Sequence, residues 1–469
     1  MDVITTDLCI IGAGSGGLSL AAGAVQMGAR VVLIEAGEMG GDCLNTGCVP
    51  SKTLLAAAKT AQVLRKGAAG VAGAEPQIDF AAVMAQVAAV IAGIAPVDSQ
   101  ARFEALGVQV IRAFARFTGP REVEAGGQRI RARRFVIATG SHPMIPQVSG
   151  LNDLPYLTNE TIFAQTSLPA HLLILGAGPI AMEMAQAHRR LGSKVTVIAR
   201  STALGREDPE AAAVVLAALR AEGVTILEGQ DAARFRATPE GVEAVLADGT
   251  TLTGSHVLVA VGRVPAIAGL NLEAAAVAYT ARGVTVGPNL RSSNRRVYAV
   301  GDVAGGLQFT HVAGAHAGVV IRQILLGLPA HEAKVVPWVT YTDPELAQIG
   351  LTEAAARAKH PDVTVIRQDF AHNDRALTEA RAEGFLKLML VKGRPVGVTI
   401  VGAQAGELIG LWALAVSARL KISAITGMIA PYPTRGEISK RAAGAYFSPQ
   451  LFDNPSLKRL VGFVQRWLP

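Results

Sequence analysis

Two cysteines, Cys43 and Cys48, stand with four residues between them in the glycine-rich stretch 40–52. A C-x4-C pair at the start of a helix can close a small disulfide ring, and the free N–H groups of the helix N-terminus favour a thiolate there. Lys52, one turn further on, adds a positive charge. The pattern favours a redox-active dithiol. A structural disulfide or a pair of buried thiols is the alternative, and structural disulfides are rare in the cytosol.

The residues before the cysteines have the pattern of a dinucleotide-binding unit. An apolar, β-branched run over residues 3–11 leads into Gly12-x-Gly14-x-x-Gly17, and the next strand ends at Glu35. Gly12 allows a tight turn, Gly14 lets the backbone approach a pyrophosphate, and Gly17 lets the helix pack on the strand. The pyrophosphate would rest on the helix N-terminus, and Glu35 could bind a pair of ribose hydroxyls.

The same pattern returns later in the chain. An apolar strand leads into Gly176-x-Gly178-x-x-Ala181, and the strand that follows the helix ends at Arg200 rather than at an acid. An acid there would accept the ribose 2′-hydroxyl, whereas an arginine accommodates a 2′-phosphate. Arg206 could join Arg200, so the sequence favours NADPH over NADH. Two solvated surface arginines are the alternative.

Three further strand ends carry residues that could lie near a cofactor. The strand over residues 135–138 ends in Thr139-Gly140, whose small size permits close approach, although an ordinary core strand would end the same way. Gly262 follows another apolar strand. Asp302 ends a third and could bind a polyol hydroxyl of the first cofactor; a helix N-cap is the alternative.

Length and composition exclude several classes of protein. A chain of 469 residues suggests about three domains, and three cysteines do not make a disulfide scaffold. The first strand begins too early to follow a signal peptide, and we expect no uncharged apolar run of about 18 residues, so a cytoplasmic location is predicted. The nine histidines lack ligand spacing, and no metal site is predicted.

The net charge of +7 is concentrated at the C-terminal end. Residues 421–469 contain seven basic and two acidic side chains, which is a net charge of +5. No basic stripe with interleaved aromatic residues occurs, and nucleic acid is therefore not an expected partner.

Together, the motifs resemble those of the pyridine nucleotide–disulfide oxidoreductases over nearly the whole chain. The resemblance is carried by the Gly12 and Gly176 fingerprints, Cys43-x4-Cys48-x-x-x-Lys52, Ala138-Thr139-Gly140, Gly301-Asp302 and Tyr341-Thr342-Asp343-Pro344. It implies a homodimeric flavoenzyme that binds FAD and NAD(P)H. The implied FAD-binding residues are Gly12, Gly14, Gly17, Glu35, Gly41, Lys52, Thr139, Gly140 and Asp302. The implied NAD(P)-binding residues are Gly176, Gly178, Ala181, Arg200, Arg206 and Gly262.

The resemblance also implies an α/β fold with two Rossmann-like dinucleotide-binding domains and a C-terminal α+β dimerisation domain. We expect an FAD-binding domain over residues 1–150 and an NAD(P)-binding domain over 151–278. Residues 279–335 would complete the FAD domain, and 336–469 would form the interface domain with a C-terminal amphipathic helix.

Roles for individual residues follow from the same resemblance. Cys48 would be the charge-transfer thiol against the flavin, and Cys43 the interchange thiol that meets substrate. Lys52 would lie near flavin N5, paired with Glu183. Electrons would run from NADPH to FAD, then to the Cys43–Cys48 disulfide, and from there to a small sulfur or soft-metal substrate.

The chain departs from the family pattern at the residue expected to act as general acid and base. Dithiol-handling members carry a histidine where Tyr432 stands, although Glu437 is kept. Mercuric reductases also have a tyrosine there, but this chain lacks their C-terminal cysteine pair, since no cysteine follows Cys48. We therefore expect a mercuric-reductase-like flavoprotein that acts on a small sulfur or soft-metal substrate. The alternatives are dihydrolipoamide dehydrogenase activity and electron transfer to a quinone at a membrane.

The tail after Glu437 is a second departure. Asn454 can cap a helix, and Pro455 suits its first turn. One face of that helix would carry Leu457, Leu460, Val461, Val464, Trp467 and Leu468. It would either contact anionic lipid through 455–469 or pack within the protein's own dimer.

Overall fold

The computed structural model describes residues 3–239 and 241–467, which form two compact units. Unit 1 contains the residues up to Ser201 together with Gly223–Lys334. Unit 2 contains Thr202–Glu222 and the residues from Val335 onward. Both units are therefore discontinuous in sequence.

The strands of the described residues are numbered in chain order. They are β1 (Val3–Ile11), β2 (Val31–Glu35), β3 (Gln109–Arg112), β4 (Ala115–Gly119), β5 (Glu122–Ala125), β6 (Gln128–Ile137), β7 (Ser141–Pro143), β8 (His171–Leu175), β9 (Lys194–Ala199), β10 (Thr225–Glu228), β11 (Ala232–Thr238), β12 (Gly241–Leu246), β13 (Thr251–Gly254), β14 (His256–Val259), β15 (Arg263–Pro265), β16 (Tyr279–Thr280), β17 (Gly283–Val284), β18 (Val297–Ala299), β19 (Pro337–Thr340), β20 (Glu345–Gly350), β21 (Thr364–Asp369), β22 (Phe385–Val391) and β23 (Arg394–Gly402).

The helices are numbered in the same way. They are α1 (Ser15–Gln26), α2 (Gly41–Asn45), α3 (Cys48–Lys66), α4 (Phe80–Asp98), α5 (Gln100–Ala105), α6 (Pro179–Leu191), α7 (Pro209–Ala221), α8 (Thr310–Leu326), α9 (Glu353–Lys359), α10 (Asp374–Thr378), α11 (Ala405–Ser417), α12 (Ile422–Gly427), α13 (Glu437–Phe452) and α14 (Pro455–Trp467). Short 3₁₀ turns lie at Ile162–Ala164, Gly301–Ala304 and Phe370–His372.

The principal sheet of unit 1 has the order β3-β2-β1-β6-β5-β4, with β18 paired to β6. Its strands β3, β2, β1, β6 and β18 run parallel, so their carboxyl ends meet at one edge. Cys9 lies at the centre of this sheet, opposite Val32 and Phe135, and is fully buried, as expected of a small core residue. Helices α1 and α8 pack together over this sheet.

A second parallel sheet in unit 1 has the order β10-β9-β8-β14. Its strands β8 and β9 flank α6 in sequence, which is the strand–helix–strand arrangement predicted for the second fingerprint. A three-stranded antiparallel sheet, β11-β12-β13, lies between β10 and β14 in sequence.

Unit 2 is built on an antiparallel sheet with the order β19-β20-β23-β22-β21. Helix α11 packs on β20 and β23 and buries Trp412 completely. Helix α7 also packs on this sheet, and the buried Lys387 ammonium lies 3.0 Å from the Asp208 carboxylate at the start of α7. The same ammonium contacts Glu210 and Glu353, so a buried charge is compensated by three carboxylates.

The predicted α/β fold is confirmed, with one mixed and one parallel sheet in unit 1 and an α+β region at the C-terminal end. The exact domain boundaries 1–150, 151–278, 279–335 and 336–469 stay predictions. The compact units divide the chain on different lines, since residues 202–222 join unit 2.

One stretch corrects the expectation that every long apolar run contains a charge. Residues 80–97 contain no Asp, Glu, Lys or Arg. Within the described residues, Phe80–Ala105 is the one stretch long and apolar enough to cross a membrane, and 17% of its most apolar window is buried. These are properties of length and composition alone, and core helices of water-soluble proteins share them. Asp79 caps α4 by accepting a hydrogen bond from the Ala82 N–H.

Candidate redox site

The cysteine loop is fixed against the first fingerprint by backbone contacts that exclude side chains. Gly40 and Gly41 have positive φ angles of 91° and 60°. A Cβ at Gly41 would lie 2.7 Å from the Gly14 Cα, so only glycine fits there. The Gly40 N–H also donates to the Ala13 carbonyl at 3.0 Å. The two motifs recognised in the sequence therefore form one structure.

Cys48 begins helix α3 and is the more acidic thiol of the pair. Both cysteines are free thiols, and Cys43 donates a hydrogen bond to Cys48. This bond is the main reason that the pKa of Cys48 falls to about 6, and contacts with Thr310 and the charge of Lys52 lower it further. The Thr310 hydroxyl lies 3.4 Å from the Cys48 sulfur. Cys48 is therefore a thiolate at neutral pH.

Cys43 has the opposite character, although it lies on the short helix next to Cys48. Donating its proton toward Cys48 raises the pKa of Cys43, and burial raises it further. The pair thus holds one proton between two unequal sulfurs. The roles of charge-transfer thiol for Cys48 and interchange thiol for Cys43 stay predictions.

Lys52 and Glu183 form the ion pair that was predicted for them. The Lys52 ammonium donates to a Glu183 carboxylate oxygen at 2.8 Å, and the two side chains are 37% and 5% exposed. The pair joins α3 to α6, which pack against each other. A positive charge is thereby held one turn from Cys48.

Asp42 is a charged neighbour of the cysteines that the sequence analysis did not single out. One of its carboxylate oxygens accepts from Thr46 and from Asn159, both at 2.8 Å, and lies 3.4 Å from the Arg263 guanidinium. Its negative charge raises the pKa of both cysteines. Asn159 and Arg263 are over 100 residues away in sequence, so no local pattern could have revealed the contact.

We expect Asp42→Asn to make both thiols more acidic, because it removes a negative charge that opposes ionisation. At pH 5.5, Cys48 of the reduced variant should react with iodoacetamide about 1.5- to threefold faster, because lowering a pKa of about 6 by a few tenths to one unit raises the thiolate fraction from about one quarter to at most about three quarters. Mass spectrometry of the alkylated peptides measures the rates.

Asp153→Asn is the matched control for Asp42→Asn, because it removes an exposed carboxylate of the same unit. Its alkylation rate should equal that of the unmodified protein. An unchanged rate in Asp42→Asn would show that the carboxylate is screened from the thiols.

The first fingerprint has the geometry that a dinucleotide pyrophosphate requires. Gly14 precedes α1 without a side-chain cap, so the first N–H groups of this helix are available to an anion. A Cβ at Gly12 would lie 2.3 Å from the Ala138 carbonyl oxygen, and one at Gly17 would lie 1.9 Å from the Gly12 carbonyl oxygen. Glu35 accepts from the backbone N–H groups of Ala13 and Gly37, which orients its carboxylate beside the turn. These residues fit FAD.

The ends of β6 and β18 bring Thr139, Gly140 and Asp302 to the same edge of the sheet. Thr139 donates to the Ala266 carbonyl at 2.7 Å, and Gly140 has a φ angle of +70°. Burial raises the pKa of Asp302, which accepts a hydrogen bond from the Ser141 hydroxyl.

Arg263 links this edge to the cysteine loop. Its guanidinium donates to the Ser141 hydroxyl at 2.7 Å and to the Ser141 carbonyl at 2.8 Å, in addition to its contact with Asp42. The sequence analysis named the neighbouring Gly262 but not Arg263. The alternative reading of Asp302, a helix cap, does not hold, since the 3₁₀ turn that contains it has no side-chain cap.

The second fingerprint repeats the geometry of the first. A Cβ at Gly176 would lie 2.4 Å from the Ala260 carbonyl oxygen, whereas a Cβ at Gly178 would meet no atom within 4 Å. Ala181 is fully buried. Gly178 precedes α6 without a side-chain cap, so the helix N-terminus is available to a pyrophosphate.

Three other residues predicted for nucleotide binding are exposed. Gly262 lies three residues after the end of β14 and has a φ angle of +139°. Arg200 follows β9 and is exposed, as the predicted 2′-phosphate contact requires. Arg206 is exposed as well but belongs to unit 2, and its place beside Arg200 stays a prediction.

Tyr432 and Glu437 lie together in unit 2. Tyr432 is 70% exposed and donates its hydroxyl to Asp374 at 2.9 Å, which raises its pKa above the usual value. Glu437 begins α13; one carboxylate oxygen accepts from Arg441, and the other is buried without a hydrogen-bond partner in the described chain. A cavity of about 340 Å³ is lined by Thr426, Ala430, Tyr432, Glu437, Lys440, Arg441 and Gly444.

Two family models match almost all of this chain. The first, pyridine nucleotide-disulphide oxidoreductase, matches residues 6–317, and the second, the dimerisation domain of the same family, matches residues 336–443. The dimerisation match supports a homodimer. Among residues 3–239 and 241–467, no three His, Cys, Asp or Glu side chains group as metal ligands.

Known proteins of two activities are similar over the full chain. A mercuric reductase of Acidithiobacillus ferrooxidans is 35% identical, over 94% of this chain and 82% of its own length. A dihydrolipoyl dehydrogenase of Thermus scotoductus is 37% identical, over 94% of this chain and 97% of its own length.

Solved structures agree with these relatives. LpdA from Mycobacterium tuberculosis superposes with a TM-score of 0.87 at 27% identity and covers 94% of this chain and 99% of its own. The Cu(II) complex of the HOCl-induced flavoprotein disulfide reductase RclA from Escherichia coli has a TM-score of 0.84 at 28% identity, covering 93% and 99%. This chain therefore belongs to the pyridine nucleotide-disulphide oxidoreductases, a family of enzymes that use FAD and a pyridine nucleotide.

Proposed function

We propose that this enzyme uses NADPH to reduce a small sulfur compound or a soft metal ion through Cys43 and Cys48. The observation that carries the proposal is the unequal thiol pair, with Cys48 ionised at neutral pH beside Thr310 and Cys43 protonated. FAD, when bound, supplies electron transfer between the nicotinamide and the cysteine pair. A cytoplasmic location is part of the proposal, because reduced thiols persist there.

The dithiol can reduce a disulfide in two exchange steps. Cys43 first passes its proton to the neighbouring Cys48 thiolate; the Cys43 thiolate then attacks one substrate sulfur to form a mixed disulfide and releases the other as a thiolate, which takes the proton from Cys48. Cys48 then attacks the Cys43 sulfur, which closes the protein disulfide and releases the second substrate thiolate. The two product thiols take up two protons, one from the cysteine pair and one from solvent. The two electrons come from the two cysteine sulfurs, which become the protein disulfide.

A soft metal ion offers a simpler route for this particular chain. Two thiolates are suitable ligands for Hg(II), which they would hold while the two electrons that NADPH supplies, through FAD when it is bound, reduce the ion to the metal. This route needs no general acid for a leaving thiolate. The mercuric reductases among the relatives, and the Cu(II) complex of one solved relative, support a soft-metal substrate.

Tyr432 supports the same preference. Its raised pKa keeps the phenol protonated at neutral pH, so it is not a base for thiol–disulfide exchange. Dihydrolipoamide dehydrogenase activity is the alternative, supported by the Thermus scotoductus relative. In that case Glu437 and the nearby Lys440 and Arg441 would have to replace the missing histidine.

Arg200 supports NADPH as the electron donor, because it lies exposed at the end of β9, where an acid would select NADH. Arg206 would add a second positive charge to the 2′-phosphate site. A quinone is the second candidate acceptor, favoured by the exposed apolar face of α14.

The proposal is tested by a screen of NADPH oxidation with the FAD-loaded enzyme against lipoamide, glutathione disulfide, Hg(II), quinones and oxygen. We expect the largest kcat/KM with Hg(II) or a small disulfide, and a lower KM for NADPH than for NADH. Acceptor turnover that survives Cys43→Ala would overturn the proposed route and favour the quinone.

Tyr432→His should restore a general base where dithiol-handling relatives carry one. We expect lipoamide or glutathione disulfide turnover to rise by about 10²-fold, the lower range for general acid–base catalysis. The reaction should show a pH dependence near the histidine pKa of about 6.5. Tyr432→Phe is the matched control and should leave disulfide turnover unchanged; an increase in that variant as well would assign the effect to loss of the Asp374 contact.

A further inference from the structure

Helix α14 presents an apolar face that no part of the described chain covers. At 100° per residue, one side of the helix collects Leu457, Leu460, Val461, Phe463, Val464 and Trp467. Leu460, Val461, Phe463 and Trp467 are 51–68% exposed, and no residue of this helix is buried. Leu468 was predicted to share this face but lies outside the described residues.

The opposite face of α14 is basic. It carries Lys458, Arg459, Gln465 and Arg466, and residues 454–467 contain no acidic side chain. Asn454 starts the helix by accepting from the N–H groups of Ser456 at 3.0 Å and Leu457 at 3.2 Å. A 13-residue helix is marginal in water unless its apolar face is covered.

The match to the family's dimerisation domain does not include this helix. The dimerisation-domain match ends at residue 443, before α14 begins. The two solved relatives are matched over 99% of their own length but over only 93–94% of this chain. The preceding helix α13 also ends in exposed apolar side chains, Leu451 and Phe452.

We propose that α14 binds the surface of an anionic phospholipid membrane. The apolar face, with Phe463 and Trp467, would enter the boundary between headgroups and acyl chains, and the basic face would contact acidic headgroups. The charge complementarity selects an anionic surface, because Lys458, Arg459 and Arg466 have no acidic neighbours on the helix. This contact would place the enzyme at a membrane whichever electron acceptor it uses.

Co-sedimentation of the FAD-loaded, full-length enzyme with lipid vesicles tests the proposal. Binding to vesicles of phosphatidylcholine with 30% phosphatidylglycerol should be about 10²-fold tighter than to phosphatidylcholine alone, since each of three basic side chains contributes close to a factor of five. Arg459→Glu with Arg466→Glu should remove this preference. Leu460→Ser with Phe463→Ser should remove binding to both vesicles.

Ile429→Ser is the matched control, because Ile429 is 95% exposed in the same unit but lies outside the helix. It should bind vesicles like the unmodified enzyme. Sedimentation velocity tests the alternative that a second subunit covers the apolar face of α14. If Leu460→Ser with Phe463→Ser weakens the dimer, the face is a subunit contact and the proposal fails. It also fails if the unmodified enzyme binds neither type of vesicle.

Discussion

Replacing Cys48 with serine should slow substrate reduction by about 10³-fold or more, the scale found when one member of a concerted catalytic unit is removed. Cys43→Ser should have a similar effect on turnover, but the two variants should differ in the reactivity of the thiol that remains. In Cys43→Ser, the remaining Cys48 keeps Thr310 and Lys52, which lower its pKa. In Cys48→Ser, the remaining Cys43 keeps burial and the charge of Asp42, which raise its pKa.

The difference is measured by iodoacetamide alkylation between pH 5 and 9. At pH 7, Cys48 in the Cys43→Ser variant should react at least about tenfold faster than Cys43 in the Cys48→Ser variant, because each pKa unit changes the thiolate fraction tenfold. In the reduced, unmodified enzyme, alkylation of Cys48 should fall as the pH drops through about 6, where the thiolate is protonated.

Cys9 provides the control for this experiment. It is fully buried, and burial raises its pKa, so it should not react in any variant. Cys9→Ala should therefore give the same alkylation profile as the unmodified enzyme. Equal rates in Cys43→Ser and Cys48→Ser would contradict the unequal environments of the two sulfurs.

Lys52→Met should have the second large effect, on both stability and activity. Glu183 is 5% exposed and would lose the charge of Lys52; removing one partner of a buried pair costs about 3–5 kcal/mol. Because Lys52 is 37% exposed, solvent reduces the expected loss to roughly 1–3 kcal/mol. We also expect NADPH to reduce the bound flavin about 10²-fold more slowly, the scale for loss of one fixed electrostatic group.

A double-variant comparison separates the two consequences. Lys52→Met with Glu183→Met removes both charges and should recover most of the lost thermal stability, because no buried charge is left unpaired. It should not recover the flavin reduction rate, nor the part of the lowering of the Cys48 pKa that the charge of Lys52 causes, since both depend on the Lys52 ammonium. Recovery of the rate together with stability would show that Lys52 acts only in folding.

Glu183→Gln is the matched single variant, because it keeps Lys52 charged. It should keep alkylation of Cys48 close to normal while losing less stability than Lys52→Met, as the partly exposed ammonium can be hydrated. Thermal unfolding followed by circular dichroism and stopped-flow absorbance measure the two properties.

The local features of this site were predictable from the sequence because its tight turns accept only glycine, and the glycines can be read directly from the sequence. Gly12, Gly17, Gly41 and Gly176 stand where a Cβ would collide with backbone atoms, so the spacing of glycines records the turns themselves. The cysteine pair likewise depends on a contiguous pattern.

The features that sequence patterns did not reveal depend on contacts between distant residues. Thr310 touches Cys48 across 262 positions, and Asn159 reaches Asp42 across 117. In the sequence, Thr310 and Asn159 are ordinary polar residues, and only the folded sheet brings their segments next to the cysteine loop. The assignment of residues 202–222 to unit 2 also lacks a sequence signal, because α7 follows β9 as a helix of the nucleotide-binding fold would.

The buried ion pair of Asp208 with Lys387 bears on the order in which the chain can fold during synthesis. The two residues are 179 positions apart, and α7 packs on strands that follow it in the chain. At about 5–20 residues per second, α7 would wait roughly 10–40 s after synthesis for the strand that carries Lys387. Unit 1 is complete in sequence once Lys334 has been synthesised, before Lys387 is available to Asp208. The segment that joins β9 to β10 therefore still lacks its packing partners when the last residue of unit 1 has been made.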